Sequence, residues 1–190
     1  MQQLQRAARG EPSFVLEEYF SGHTHAFGMF VDRFGAVKRQ FSVDILGEME
    51  NGQLVLTEDF TFDGGERSKR VWRITPLGDG RYSGTADDVV GTAEGSVSGN
   101  CLRWSYDLNL KIGQREWRVR FDDIMLLQND QVLLNRAQMS KWGITLGEVI
   151  ISFHKEAERS ESNISDAKPT YSKTHSRSRI DEETLAAVSA

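Results

Sequence analysis

Cysteine is all but missing from this chain: Cys101 stands alone among 190 residues. A lone thiol excludes an internal disulfide and leaves too few thiolates for a Cys-rich zinc or iron–sulfur centre. Proline is also scarce, with 3 residues against 17 Gly, and collagen-like and fully disordered classes drop out on composition. A surplus of positive charge is absent too, since 23 Lys and Arg face 28 Asp and Glu for a net charge of -5. Nonspecific grip on phosphate backbones needs a concentrated basic surface, so nucleic acid is not an expected partner. No stretch approaches the roughly 18 consecutive apolar residues that a membrane helix requires. The opening twelve residues, Met1 to Pro12, lack the apolar core of a secretory signal. As written, the sequence therefore suggests a cytoplasmic protein.

What is present is one ordinary domain, long enough to bury a continuous core. Residues 1–12 read as a flexible amino terminus and 13–156 as the folded body. Residues 157–190 read as a disordered polar tail, rich in Ser and charge, with too few apolar positions to offset the entropy of ordering it. The basic patch Lys173, His175, Arg177 and Arg179 in that tail reads as solvated linker.

Within the body, apolar and polar residues alternate with period two, and Gly, Asn and Asp clusters interrupt them at intervals of about ten residues. Turn signals such as Glu50-Asn51-Gly52, Asp63-Gly64-Gly65 and Gly78-Asp79-Gly80 supply residues that tolerate positive φ in tight hairpins. The pattern predicts an all-β, antiparallel up-and-down barrel of about ten strands. The runs are His23–Val31, Val37–Leu46, Leu54–Phe62, Lys69–Thr75, Tyr82–Val89, Thr92–Val97, Leu102–Ile112, Trp117–Leu127, Val132–Met139 and Gly147–His154. Ahead of them, Ser13 to Phe20 predicts a short helical turn. Gly84, Gly91, Gly95 and Gly99 mark the middle strands as the sharply curved wall.

Several longer strings carry a resemblance. Tyr19-Phe20-Ser21-Gly22, Gly28-Met29-Phe30-Val31-Asp32-Arg33-Phe34-Gly35, Thr85-Ala86-Asp87-Asp88-Val89-Val90-Gly91, Phe121-Asp122-Asp123 and Leu134-Asn135-Arg136-Ala137-Gln138-Met139-Ser140-Lys141-Trp142-Gly143 are similar to an uncharacterised bacterial family, domain of unknown function 3833. The resemblance covers Phe14 to Lys155 and implies a lipocalin-like (calycin) barrel. Many members resemble lipoproteins, which implies an envelope location if the true start lies upstream.

In a half-buried strand the informative residue is the charged one on the apolar parity. Glu58 shares a face with Leu54, Leu56, Phe60 and Phe62, and Arg70 shares one with Trp72 and Ile74, so the two meet across the Asp63-Gly64-Gly65-Glu66 turn. Asp123 shares a face with Trp117, Val119, Phe121 and Met125, and a two-residue Asn129-Asp130 turn would set it opposite Arg136, beside Val132 and Leu134. Arg39 lies in the row Val37, Phe41, Val43, Ile45, and Asp88 follows Tyr82, Gly84 and Ala86. Together they predict a charged cluster inside an apolar barrel.

Three readings of that cluster stand. Buried ion pairs can fix register and close the barrel. Alternatively Arg39, Arg70 or Arg136 offers a forked donor to the head group of an acidic amphiphile, while Trp72, Trp104, Tyr106, Trp117 and Phe121 line its apolar tail. The expected partner is then a small apolar or amphipathic, lipid-like ligand. Thirdly, Glu58 and Asp123 are weak catalytic candidates, because apolar surroundings raise a carboxyl pKa toward neutrality while an adjacent Arg lowers it. No metal or cofactor is expected: His23 and His25 share a face, but His154 is the only suggestion for a third ligand. A noncatalytic binding protein is the favoured function, with a barrel isomerase, cyclase or hydrolase and a purely structural or interaction module as alternatives.

Overall fold

The computed structural model describes residues 10–112 and 115–156. The expected tail, 157–190, and most of the expected flexible start, 1–12, lie outside the described residues. The element order is α1 (Leu16–Phe20), β1 (Gly22–Asp32), β2 (Val37–Glu50), β3 (Gln53–Phe62), β4 (Arg67–Gly78), β5 (Arg81–Thr85), β6 (Val89–Ser98), β7 (Cys101–Ile112), β8 (Arg115–Leu127), β9 (Val132–Lys141) and β10 (Ile144–Lys155). Each strand pairs antiparallel with the next, and β10 pairs with β1 from Thr24↔Lys155 to Asp32↔Gly147. The sheet is thus a closed up-and-down barrel, and closure removes the edges that a ten-strand meander would otherwise expose.

The anticipated runs all appear. One boundary difference matters: β5 stops at Thr85 because Ala86, Asp87 and Asp88 form a tight connection, with Val89 N donating to Ala86 O at 3.1 Å. Period-two alternation places the core inside the barrel. β2 buries Arg39, Phe41, Val43 and Ile45, and β7 buries Leu102, Trp104, Tyr106, Leu108 and Leu110.

One end of the barrel is closed by α1. This helix has five residues and no side-chain cap on Val15, too short to stand alone in water, so packing must hold it. Leu16, Tyr19 and Phe20 are buried, at the i, i+3, i+4 spacing that puts them on one face. Burying each such side chain contributes about 1.5–3 kcal/mol. Polar ties fix the position. Phe14 N donates to Gly99 O at 2.9 Å, the Tyr19 hydroxyl donates to Gln131 O at 3.0 Å, and the Tyr82 hydroxyl donates to Glu17 at 3.0 Å. A Cβ on Gly47 would lie 1.8 Å from the Phe20 carbonyl oxygen, so only glycine admits the helix this close to the rim.

Close approach also explains glycine in the curved wall. The Trp104 indole lies flat against Gly84 and Gly95, where added Cβ atoms would come within 2.6 and 2.3 Å of its ring. Gly95→Ala is therefore expected to cost about 1–3 kcal/mol through overpacking, read as a lower denaturant midpoint. Gly64→Ala, in a turn with nothing within 4 Å of the new methyl, should leave the midpoint within about 0.5 kcal/mol of wild type.

Candidate ligand site

Inside the barrel lies a partly open cavity of about 120 Å³. An engineered cavity of roughly 150 Å³ takes benzene, so this space accepts a ring or a short chain, and anything larger must displace side chains. The wall is mostly apolar, with Phe41, Leu56, Trp72, Trp104 and Phe121 among its residues. Aromatic packing stiffens one side: Tyr106 stacks on Phe121 at 5.3 Å and 13°, and Trp72 meets Tyr106 edge-on at 5.3 Å.

Five polar side chains point into this apolar space: Glu58 from β3, Arg70 from β4, Tyr106 from β7, Asp123 from β8 and Asn135 from β9. Glu58 and Arg70 are direct register partners across β3 and β4. Arg70 is clamped from behind by Asp88, whose Oδ2 accepts from Nε at 3.0 Å and from Nη2 at 2.7 Å. The guanidinium therefore enters the cavity with its charge already answered. Asn135 Nδ2 donates to Asp123 Oδ2 at 3.2 Å. Because the amide's donor must face that carboxylate, its carbonyl oxygen is left over. Asp123 Oδ1 and Asn135 Oδ1 are both buried and accept no hydrogen bond. Among the described residues Glu58 likewise receives no hydrogen bond, and Arg70 answers it only through its charge.

This environment sets the protonation. Burial pushes Glu58 from an ordinary 4.5 up to about 7; the Arg70 charge opposes the rise and Asp88 adds to it. Burial also pushes Asp123 up to about 7, with the Asn135 hydrogen bond pulling the other way. Burial opposes charge on Arg70, yet Tyr106, Asp88 and Glu58 together raise its pKa, so it stays a cation. The Tyr106 phenol, pushed well up by burial, stays neutral. At neutral pH the cavity thus holds one paired cation and two carboxyls that share their time between neutral and ionised forms.

The structure brings together Glu58, Arg70, Trp72, Trp104, Tyr106, Phe121 and Asp123 in the cavity wall, and leaves out Arg39, Trp117 and Arg136. Arg39 is 2% exposed, but it sits toward the other end of the barrel, 3.6 Å over the Phe62 ring and bonded to Glu66. Trp117 packs against the core beneath the Lys141 ammonium, 3.6 Å from its ring.

Arg136 corrects the sequence reading outright. Asp123 lies opposite Ala137, and Ile124 opposite Arg136. Gln128 N still donates to Val132 O at 2.8 Å, so the loop between them holds the three residues Asn129, Asp130 and Gln131, where the two of Asn129-Asp130 were expected. Asn129 Oδ1 builds it by accepting from the backbone N of Gln131 at 2.9 Å and of Val132 at 2.8 Å. One added residue flips every side chain of β9. Leu133, Asn135, Ala137 and Met139 turn inward, while Leu134 and Arg136 turn outward. On the outer wall Arg136 bonds to Glu148. Asn135, absent from the sequence-based set, enters the site by the same flip.

Cys101 is buried, and burial raises its thiol pKa. His25 and His154 are register partners, and His154 bonds to Ser152 at 2.9 Å. Among the described residues no group of three His, Cys, Asp or Glu side chains is placed to hold a metal ion, and no helix is long and apolar enough to cross a membrane.

The raised carboxyl pKa values predict an inverted pH dependence. A carboxyl whose pKa is higher in the folded than in the unfolded state binds an extra proton when folded, so its contribution falls as pH rises from about 4.5 to about 7 and then levels off. Glu58→Gln mimics the protonated form. It should match wild type near pH 5 and exceed it by about 1–3 kcal/mol near pH 8, measured by urea unfolding at both values. Equal effects at the two pH values would contradict the assignment.

No curated protein matches this chain. Among solved structures, an S-type phycobiliprotein lyase from Guillardia theta superposes with a TM-score of 0.56 at 8% identity, over 79% of this chain and 96% of that one. At that identity the likeness concerns the fold alone, a closed antiparallel barrel, which in this chain β1 and β10 close. A family model described as protein of unknown function DUF3833 matches residues 1–155, and the chain belongs to that family.

Proposed function

We propose that this protein is a noncatalytic carrier that binds a small apolar molecule inside the barrel, and that the ligand's polar end presents hydrogen-bond donors. The likeness to a lipocalin-like lyase barrel supports small-molecule binding in general. The observation that carries the finer reading is the surplus of acceptors in the cavity: Asp123 Oδ1 and Asn135 Oδ1 are buried with no donor of their own, and the half-buried Glu58 carboxyl on the same wall is answered only by the Arg70 charge. A buried acceptor left unpaired costs about 1–3 kcal/mol, and a ligand N–H or O–H group recovers that cost. An acidic head group fits poorly. Arg70 already answers Asp88, Arg39 answers Glu66 and Arg136 answers Glu148, so a carboxylate would enter beside two carboxyls with no cation reserved for it.

A second reading rests on one specific observation. A carboxyl near pKa 7 in an apolar cavity is suited to give or take a proton at neutral pH. The same Glu58 would then act as general acid or base on the bound molecule, and the carrier would be a proton-transfer enzyme.

Calorimetric titration with aniline, a neutral apolar ring with N–H donors that suits a cavity of this size, tests the proposal against hexanoate, a short fatty acid. Wild type should bind the amine at least tenfold more tightly than the acid. Asp123→Leu and Asn135→Leu should each weaken the amine by about tenfold while the barrel stays folded by circular dichroism. Preference for the fatty acid, or amine binding unchanged in both variants, would overturn the reading.

A further inference from the structure

The strongest unexplained feature outside the cavity lies at the end of the barrel away from α1. Two neighbouring turns meet there, because β1 and β10 are paired and Arg33 N donates to Leu146 O at 3.0 Å. The β9–β10 turn carries Trp142, 90% exposed, and the β1–β2 turn carries Phe34, 80% exposed. Ile144 and Val37, the first residues of β10 and β2 beside these turns, are also exposed.

Trp142 is doubly unfavourable where it stands. Its φ is +51°, followed by Gly143 at +78°, the left-handed pair of a tight hairpin turn. That position favours Asn or Gly, and a bulky residue there is a conformational outlier. Neither backbone geometry nor packing within the barrel calls for an indole at this tip. Strained backbone and exposed aromatic surface together mark an interaction site.

The charges around the patch indicate its occupant. The Arg33 guanidinium lies 4.7 Å from the Phe34 ring, and the Lys141 ammonium lies 4.7 Å from the Trp142 ring. Neither cation has a carboxylate partner among the described residues. Asp32, the acid of the β1–β2 turn, is engaged by Lys38 at 3.3 Å and by the backbone N of Phe34 and Ala36. Aromatic tips flanked by unpaired cations match an anionic lipid surface, where indole rings settle at the head-group level and basic side chains meet phosphates.

We propose that the paired β1–β2 and β9–β10 turns dock this protein onto anionic membrane surfaces, with Trp142 and Phe34 inserted at the head-group level and Arg33 and Lys141 on lipid phosphates. This inference stands on the rim alone and does not depend on what the cavity binds. The docked face adjoins Arg39, which follows the β1–β2 turn and closes that end over Phe62.

Co-sedimentation with phosphatidylcholine vesicles, with and without phosphatidylglycerol, provides the test, using the full chain. Wild type should sediment with the anionic vesicles, bind the neutral ones at least tenfold more weakly, and be released by salt. Its tryptophan fluorescence should be quenched by brominated lipid. Trp142→Asn supplies the residue the turn favours, so its thermal midpoint should hold or rise while vesicle affinity falls at least tenfold and the quenching is lost. Arg33→Gln with Lys141→Gln should erase the preference for anionic lipid. Wild type that ignores vesicles, or Trp142→Asn that binds them undiminished, would overturn the proposal. So would a concentration-dependent dimer that Trp142→Asn abolishes with no vesicle binding in wild type, since the patch would then join two copies of this chain.

Discussion

Closure of the sheet by β1 and β10 is the constraint from which the remaining structure follows. A closed barrel has one inside, and because side chains alternate with period two, each strand must commit half of its residues to that inside. A polar residue on the inward parity is largely cut off from bulk water. It must find a partner elsewhere in the barrel or stay poorly satisfied. Arg70 finds Asp88 and Asp123 finds Asn135, while Glu58 finds only charge across a strand pair. The site is therefore a by-product of closure: the groups that strands β3, β4, β7, β8 and β9 turn inward meet at one level of the barrel.

The same constraint explains how much was legible in the sequence. Alternation and turn residues mark strands reliably when a sheet has one wet and one dry face, so the ten runs and their order could be read directly. Inward parity was legible wherever the hairpin connection was read correctly. Glu58 facing Arg70 across the Asp63-Gly64-Gly65-Glu66 turn is such a case. The β8–β9 hairpin was misread because Asn129 uses its side chain to extend the loop by accepting two backbone donors, and a sequence does not show how many residues such a loop consumes. One residue of error exchanged Asn135 for Arg136 and with it exchanged an acceptor for a cation. The chemistry of the site changed sign on a single loop.

Length along the barrel was the second blind spot. Arg39, Trp117 and Glu58 all share inward parity, yet strand tilt sets them at different heights. Arg39 closes one end against Phe62 and Glu66, and Trp117 packs near Lys141. Parity tells which wall a residue belongs to; only the assembled barrel tells which of those residues share a level.

On the proposed reading, the α1 cap, the apolar wall and the acceptor-rich centre serve a container whose contents are chosen by hydrogen-bond donors instead of by a counter-ion. The most direct measurement is mass spectrometry of an organic extract from purified wild-type protein, set beside extracts from folded Asp123→Leu and Asn135→Leu. The account predicts an apolar molecule bearing N–H or O–H donors and no carboxylate, present in wild type and depleted in both variants. A fatty acid retained by all three proteins would contradict it, and would return the cavity to recognition by the Arg70 charge.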